Sequence, residues 1–391
     1  MALDRTIALR ASSAPASGIR AIFNRAQSIA DYVNLGLGEP DYDTPSHIIE
    51  AAFRAAQAGE THYTVNAGLK ELRTEISNAI AREKGAHFDA NGSIIATAGG
   101  MGGLYLATQT LINPGDEVLL IEPYWPNYLS QVILAGGQPV IVSSNAGNGF
   151  QPMIENIESA VTSRTKLLIL NSPANPTGAV VDGSALSAIA TIAERNGFFV
   201  LSDDVYDKFV WAMPTVPSMA SFASTRDWVI LVNSFSKTYA MTGWRIGYAA
   251  GPPEVIGAMT KLQESIYACP STVSQYGAIA ALSGSQAPVE EMIADYSRRR
   301  SLVAERLGRI PSLETDKPAG SFYFFVDIAG TGLTSETFAH TLLEEEYVAV
   351  VPGTAFGAGG EGYIRLSYAA ATTELEKGLD GIERLCARLS S

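Results

Sequence analysis

One lysine and one arginine, Lys237 and Arg245, stand eight residues apart in NSFSKTYAMTGWRIGY (Asn233 to Tyr248), among hydroxyls and aromatics. The run before them, Trp228 to Val232, is apolar and β-branched, as a buried strand is. A lysine where such a strand stops can do covalent chemistry, because a desolvated ε-amine loses its proton readily and forms imines. Ser234, Ser236 and Arg245 add two hydroxyls and a planar guanidinium suited to phosphate. Other polar residues close apolar runs in the same way. Asp203 lies near the end of GFFVLSDD, Asn171 closes KLLILN, and Asn175 follows in SPANPTG. Gly99-Gly100-Met101-Gly102-Gly103 joins another apolar run to a helical pattern. Glycines there let backbone N–H groups approach an anion at the positive end of the helix.

The elements that must position these groups follow from the apolar runs. They are Ile94–Gly99, Glu117–Glu122, Gln138–Ser144, Lys166–Asn171, Phe198–Asp204, Trp228–Ser236 and Arg245–Gly251. Helical patterns such as Gly103–Leu111, Met153–Val161 and Ser184–Asn196 fall between them. Alternating β and α predicts a mostly parallel seven-stranded sheet flanked by helices. Ligands collect beyond the carboxyl ends of such strands, so the acid, amides, lysine and glycine turn should share one edge. Only eight residues separate Ser236 from Arg245, too few for a parallel crossover, so the Arg245–Gly251 strand should run antiparallel.

After Gly251 the pattern changes. Pro253 to about Arg309 reads as long helix bent near Cys269-Pro270. Short strands at Gly320–Asp327, Tyr347–Val351 and Tyr363–Tyr368, with helices at Ser335–Glu346 and Thr373–Leu389, form a smaller α+β unit. The expected division is an N-terminal segment, 1–45, packing with the small domain, then a large domain, 46–280, and the small one, 281–391.

Composition narrows the function classes. Of 391 residues, 47% are apolar and 17% charged, which suits a sizeable core. A net charge of −13 argues against nucleic acid or an anionic membrane as partner. The cysteines, Cys269 and Cys386, form no CxxC, and His47, His62, His87 and His340 have no metal-site spacing, so no metal is expected. No apolar run reaches about 18 residues, so no membrane span is indicated and the cytoplasm is the default. Gly357 to Gly362 reads GxGxxG, but the strand-like YIRLSY follows it, so the dinucleotide reading fails for want of a helix. No Walker A sequence is present.

From GLGEPDYDTP at Gly36 to YIRLSYA at Tyr363, the chain resembles the class I and II aminotransferases, fold-type I enzymes that use pyridoxal 5′-phosphate. The marks are GEPD, HYTVNAG, GDEVLLIEPYW, NSPANPTG, SDDVYDK, SFSKTYAMTGWRIGY, GSFYFF, VVPGTAFG and RLS. The resemblance implies that Lys237 carries the cofactor as a Schiff base and then moves a proton. It sets Asp203 opposite the pyridine nitrogen, Tyr206 and Asn175 at the ring oxygen, and Trp125 on the ring face. Gly100, Met101, Ser234, Ser236 and Arg245 would surround the phosphate. Ser236 fits that set least well, since side chains alternate faces along an extended stretch. Arg365 would clamp the substrate α-carboxylate beside Gly38, Trp125 and Asn175. Tyr63 would reach the phosphate of a second subunit, which implies a homodimer with shared active sites.

The implied reaction is ping-pong transfer of an amino group from an amino acid to a 2-oxo acid. Many aspartate-using relatives of the bacterial subgroup carry lysine where this chain has Met101, and methionine cannot bind a distal carboxylate. A neutral, aromatic or unusual donor is therefore expected over aspartate, unless Arg10 or Arg20 supplies the charge. Ser265 to Pro270, expected to line the pocket from the partner chain, holds no arginine. Asp204, where relatives usually carry glutamate, is a second departure. A C–S or β-lyase is the alternative on the same fold. A PLP-binding regulator with a DNA-binding head is disfavoured by the charge and by the family pattern starting near residue 35.

Overall fold

The computed structural model describes residues 7–390, except 16–17, 28, 30, 212–215 and 223–226. Its strands are β1 (Val33–Asn34), β2 (Ile94–Thr97), β3 (Glu117–Glu122), β4 (Gln138–Ser143), β5 (Thr165–Asn171) and β6 (Phe199–Asp203). They continue as β7 (Val229–Ser234), β8 (Gly247–Ala250), β9 (Tyr323–Asp327), β10 (Val348–Ala349), β11 (Val351–Pro352) and β12 (Tyr363–Ser367). Seven of them form one sheet in the order β2-β8-β7-β6-β5-β3-β4. Only β8 runs against its neighbours, β2 and β7, as the short connection from Ser236 requires.

The sheet is apolar on both faces because helices cover both. Along β5, Leu167 and Ile169 join a core with Leu104 and Leu106 of helix Gly99–Leu111 and Met259 of helix Pro253–Tyr267. Leu168 and Leu170 point the other way, against Leu186 and Ile189 of helix Gly183–Asn196. That helix starts where the Asp182 carboxylate accepts the Ala185 N–H at 2.7 Å and stops at Gly197, φ +70°.

Two boundaries near the candidate site differ from the sequence reading. The helix after β2 begins at Gly99, so the glycines form its first turn. β7 stops at Ser234, and Phe235–Thr238 is a single helical turn, so Lys237 sits on that turn. Arg245 precedes β8 in the left-handed region, φ +51°.

Farther on, the single bent helix becomes three: Pro253–Tyr267, Thr272–Ser283 and Ala287–Leu307. The first break is the expected one near Cys269-Pro270. The second falls at Gly284, where a Cβ would lie 2.5 Å from the Ala280 carbonyl and 2.7 Å from His47. The Tyr347–Val351 strand is also two pieces. β10 pairs in parallel with β1, while β11 joins β12 and β9 in an antiparallel sheet. Ile22, Ala26, Val33 and Leu35 are buried in one cluster with Val303, Phe338 and Leu379.

Candidate active site

The carboxyl ends of β5, β6 and β7 and the start of helix Gly99–Leu111 meet at a cavity of about 290 Å³. Gly38, Gly100, Met101, Trp125, Asn175, Asp203, Tyr206, Ser234, Ser236, Lys237, Arg245 and Arg365 all line it. Ser236 belongs with them because the chain has already turned helical. Its N–H donates to Ser234 Oγ at 3.0 Å, and the two hydroxyls are 2.8 Å apart.

Lys237 Nζ donates to the Gly38 carbonyl at 2.5 Å. Burial pulls its pKa down to about 8; Glu39 opposes the shift, and Arg245 and Arg365 add to it. Asp203 is 4% exposed, and burial pushes its carboxyl up to about 6. The Tyr128 hydroxyl, 2.6 Å from Oδ2, and the Val205 N–H, 3.2 Å from Oδ1, hold it from rising further. Such an acid would be kept ionised by a cation brought against it.

Arg365 is 2% exposed. Nη1 donates to Asn175 Oδ1 at 2.9 Å, Nη2 donates to the Gly36 carbonyl, and Nε is buried without a partner. Its guanidinium lies 4.4 Å from the Tyr323 ring centroid and 4.9 Å from that of Phe356. A buried guanidinium facing only neutral groups suits a carboxylate from outside. Asn175 is fixed in turn, since its N–H donates to Asn171 Oδ1 at 2.8 Å.

Helix Gly99–Leu111 has no side-chain cap and no acid in its first turn. Its free N–H groups, with Ser234, Ser236 and Arg245, make an anion cradle. The backbone is tight there. A Cβ on Gly99, φ +72°, would lie 2.7 Å from Arg245 Nη2, and one on Gly247 would lie 2.6 Å from the Gly99 carbonyl carbon. Amine, buried acid and phosphate cradle within one cavity are the donor set that pyridoxal phosphate needs.

The apolar part of the lining is Ile19, Phe23, Leu37, Met101, Leu104 and Trp125. Met101 Sδ accepts from Gln131 Nε2 at 3.1 Å and Asn127 Nδ2 at 3.6 Å. Neither Arg10 nor Arg20 is among the lining residues. Tyr63 stands apart at 87% exposure, beside other exposed apolar groups of its segment such as Val65. Among the described residues no His, Cys, Asp and Glu cluster could hold a metal. The Gly357 to Gly362 stretch forms tight turns that lead into β12.

Three participants escape a reading of the sequence. Asn171 closes β5, and nothing in its sequence context signals that its Oδ1 accepts the Asn175 N–H. Tyr128 follows Trp125 by three residues on helix Pro126–Leu134, a spacing that hints at a shared face. Tyr323 gave no signal, being one aromatic among several in GSFYFF. Behind Asp203, Lys84 Nζ sits 2.9 Å from Asp204 and 2.8 Å from Asp207, with all three side chains buried.

The family model described as Aminotransferase class I and II matches residues 30–385. An aspartate aminotransferase of Pyrococcus abyssi is 43% identical over 371 residues, 94% of this chain and 95% of that one. The aromatic-amino-acid aminotransferase 2 of Thermococcus litoralis is 42% identical, with the same two coverages. Among solved structures, the aspartate aminotransferase of Thermus thermophilus with maleate aligns with TM-score 0.93 at 37% identity, covering 97% of this chain and 100% of that one.

Proposed function

This chain belongs to the class I and II aminotransferases, which are pyridoxal phosphate-dependent, and on that premise we propose that Lys237 is the amine that holds the cofactor and moves the substrate proton. When bound, pyridoxal phosphate supplies an aldehyde for amines and a ring that draws electrons from the substrate Cα. The chain's own residues do the rest. The start of helix Gly99–Leu111, at Gly100 and Met101, would hold the phosphate with Ser234, Ser236 and Arg245. Asp203 would favour the protonated form of the ring nitrogen. Asn175 and Tyr206 would offer hydrogen bonds to the ring oxygen, and Trp125 would pack on the ring.

Arg365 would take the substrate carboxylate in a two-pronged contact and so restrict the direction in which the substrate Cα–H bond points. Lys237, with its pKa near 8, has a free-base fraction at neutral pH and can accept that proton once released. What carries the reading is one observation: a half-buried Lys237 and the buried Asp203 and Arg365, each with different partners, line a single cavity. Borohydride reduction of the loaded protein should fix the cofactor at residue 237, and Lys237→Ala should lose multiple turnover while staying folded. A variant that turned over normally would overturn the assignment.

For the donor, Met101 and the other apolar lining residues favour a neutral or aromatic side chain. Aspartate is the second reading, because the Pyrococcus abyssi relative is named for it. The same proposal includes a homodimer, into whose interface the exposed Phe53, Tyr63, Val65 and Ile266 would be packed. Tyr63 would then complete the partner's phosphate site. We further take 1–45, 46–280 and 281–391 as segment, large domain and small domain, in a cytoplasmic protein. No helix among the described residues is long and apolar enough to cross a membrane.

A further inference from the structure

We propose that Tyr323 is a positioning residue for the reaction, joining the Tyr206 hydroxyl on one side of the cavity to the Arg365 guanidinium on the other. Tyr323 opens β9, opposite Ser367 of β12, and is 1% exposed. Its hydroxyl oxygen is 2.9 Å from that of Tyr206. Its ring lies 4.4 Å under the Arg365 guanidinium. A Cβ on Gly38 would fall 2.1 Å from the same hydroxyl, so the chain segment that meets Lys237 closes over it.

The hydrogen bond between the two phenols has a direction that matters. Each hydroxyl has one proton to give and two lone pairs to receive with. Burial holds both phenols above the ordinary tyrosine pKa, so both protons are present at neutral pH. If Tyr206 gives its proton to an oxygen inside the cavity, it can only accept from Tyr323. Tyr323 then orients the proton that Tyr206 presents, while its ring supports the Arg365 guanidinium from one side. The ionisable groups that act on Tyr206 are Tyr323, Arg365, Asp203 and Tyr128. None of the other three offers Tyr206 a hydrogen bond.

The inference rests on the reading of Tyr206 as facing the cofactor's ring oxygen, and a double-mutant cycle separates the two. Holoenzymes of the parent, Tyr323→Phe, Tyr206→Phe and the double variant keep every ring and lose only hydroxyl oxygens. Two quantities are read: the pH midpoint of the cofactor absorbance, and the affinity for 3-phenylpropionate, a carboxylate with no amino group. Tyr323→Phe should move the midpoint by about half a pH unit, in the same direction as Tyr206→Phe. It should move it no further once Tyr206 is already phenylalanine. Phenylpropionate affinity in Tyr323→Phe should stay within about twofold, because the ring beneath Arg365 remains.

A midpoint that Tyr206→Phe moves and Tyr323→Phe leaves alone, or moves oppositely, overturns the proposal. So does an equal shift in both backgrounds, or a roughly tenfold loss of phenylpropionate. A midpoint that Tyr206→Phe itself does not move removes the reading of Tyr206, and the proposal with it.

Discussion

Tyr128 gives its hydroxyl proton to Asp203 across 2.6 Å, from a helix that begins one residue after Trp125. The bond opposes the burial that raises Asp203 to about 6. Tyr128→Phe should therefore push that carboxyl higher and leave more of it protonated at neutral pH. A hydrogen bond to a charged group contributes about 1.5–3 kcal/mol, so cofactor affinity at pH 7 should fall by roughly tenfold or more. Titration of the cofactor-free variant with pyridoxal phosphate checks this. Unchanged affinity would mean that the phenol is only packing.

Lys237 should react as a weak base in the cofactor-free protein. Its modification by fluorodinitrobenzene should rise with a midpoint near 8, against the ordinary lysine value of 10.5. Arg365→Gln removes a nearby positive charge and should raise the midpoint; Glu39→Gln removes a negative one and should lower it. The depressed value also links to stability. The folded cofactor-free chain has the full contribution above 10.5 and loses it as pH falls through 8. A midpoint near 10 would show the amine to be solvated.

Lys84→Met should destabilise the fold by about 3–5 kcal/mol, because Asp204 and Asp207 would be left buried and unpaired. Adding Asp204→Asn and Asp207→Asn to that variant should recover part of the loss. Urea unfolding reads both effects. A single variant within ~0.5 kcal/mol of the parent would mean that the cluster is wet.

Met101→Lys should improve the use of aspartate relative to a neutral donor by about tenfold in kcat/KM, since it replaces an apolar lining side chain with a cation. An unchanged ratio would detach Met101 from donor choice.

The sheet was legible in advance wherever a run of β-branched residues was buried on both faces, as in β5 and β7. The reversed direction of β8 was legible too, because a chain of eight residues cannot cross over. What misled was the end of β7. Nothing in the residue types of VNSFSK marks where extended backbone becomes helical, since the serine cap at Ser234 reads equally as a strand residue. The break at Gly284 carries local signals in Gly284 and Pro288, whereas one of the neighbours that leave no room for a side chain there, His47, comes close only after folding. Tyr323 was invisible on the same grounds: its partners, Tyr206, Arg365 and Gly38, converge from three separate stretches of chain.

Arg365 also donates to the carbonyl of Gly36, more than three hundred residues earlier in the chain. The group proposed to greet the substrate is thus a rivet for the N-terminal arm. A protease cut just ahead of Gly36 would spare the seven-stranded sheet and the proposed cofactor site, so the cut protein should keep its cofactor while its hold on amino acids slackens.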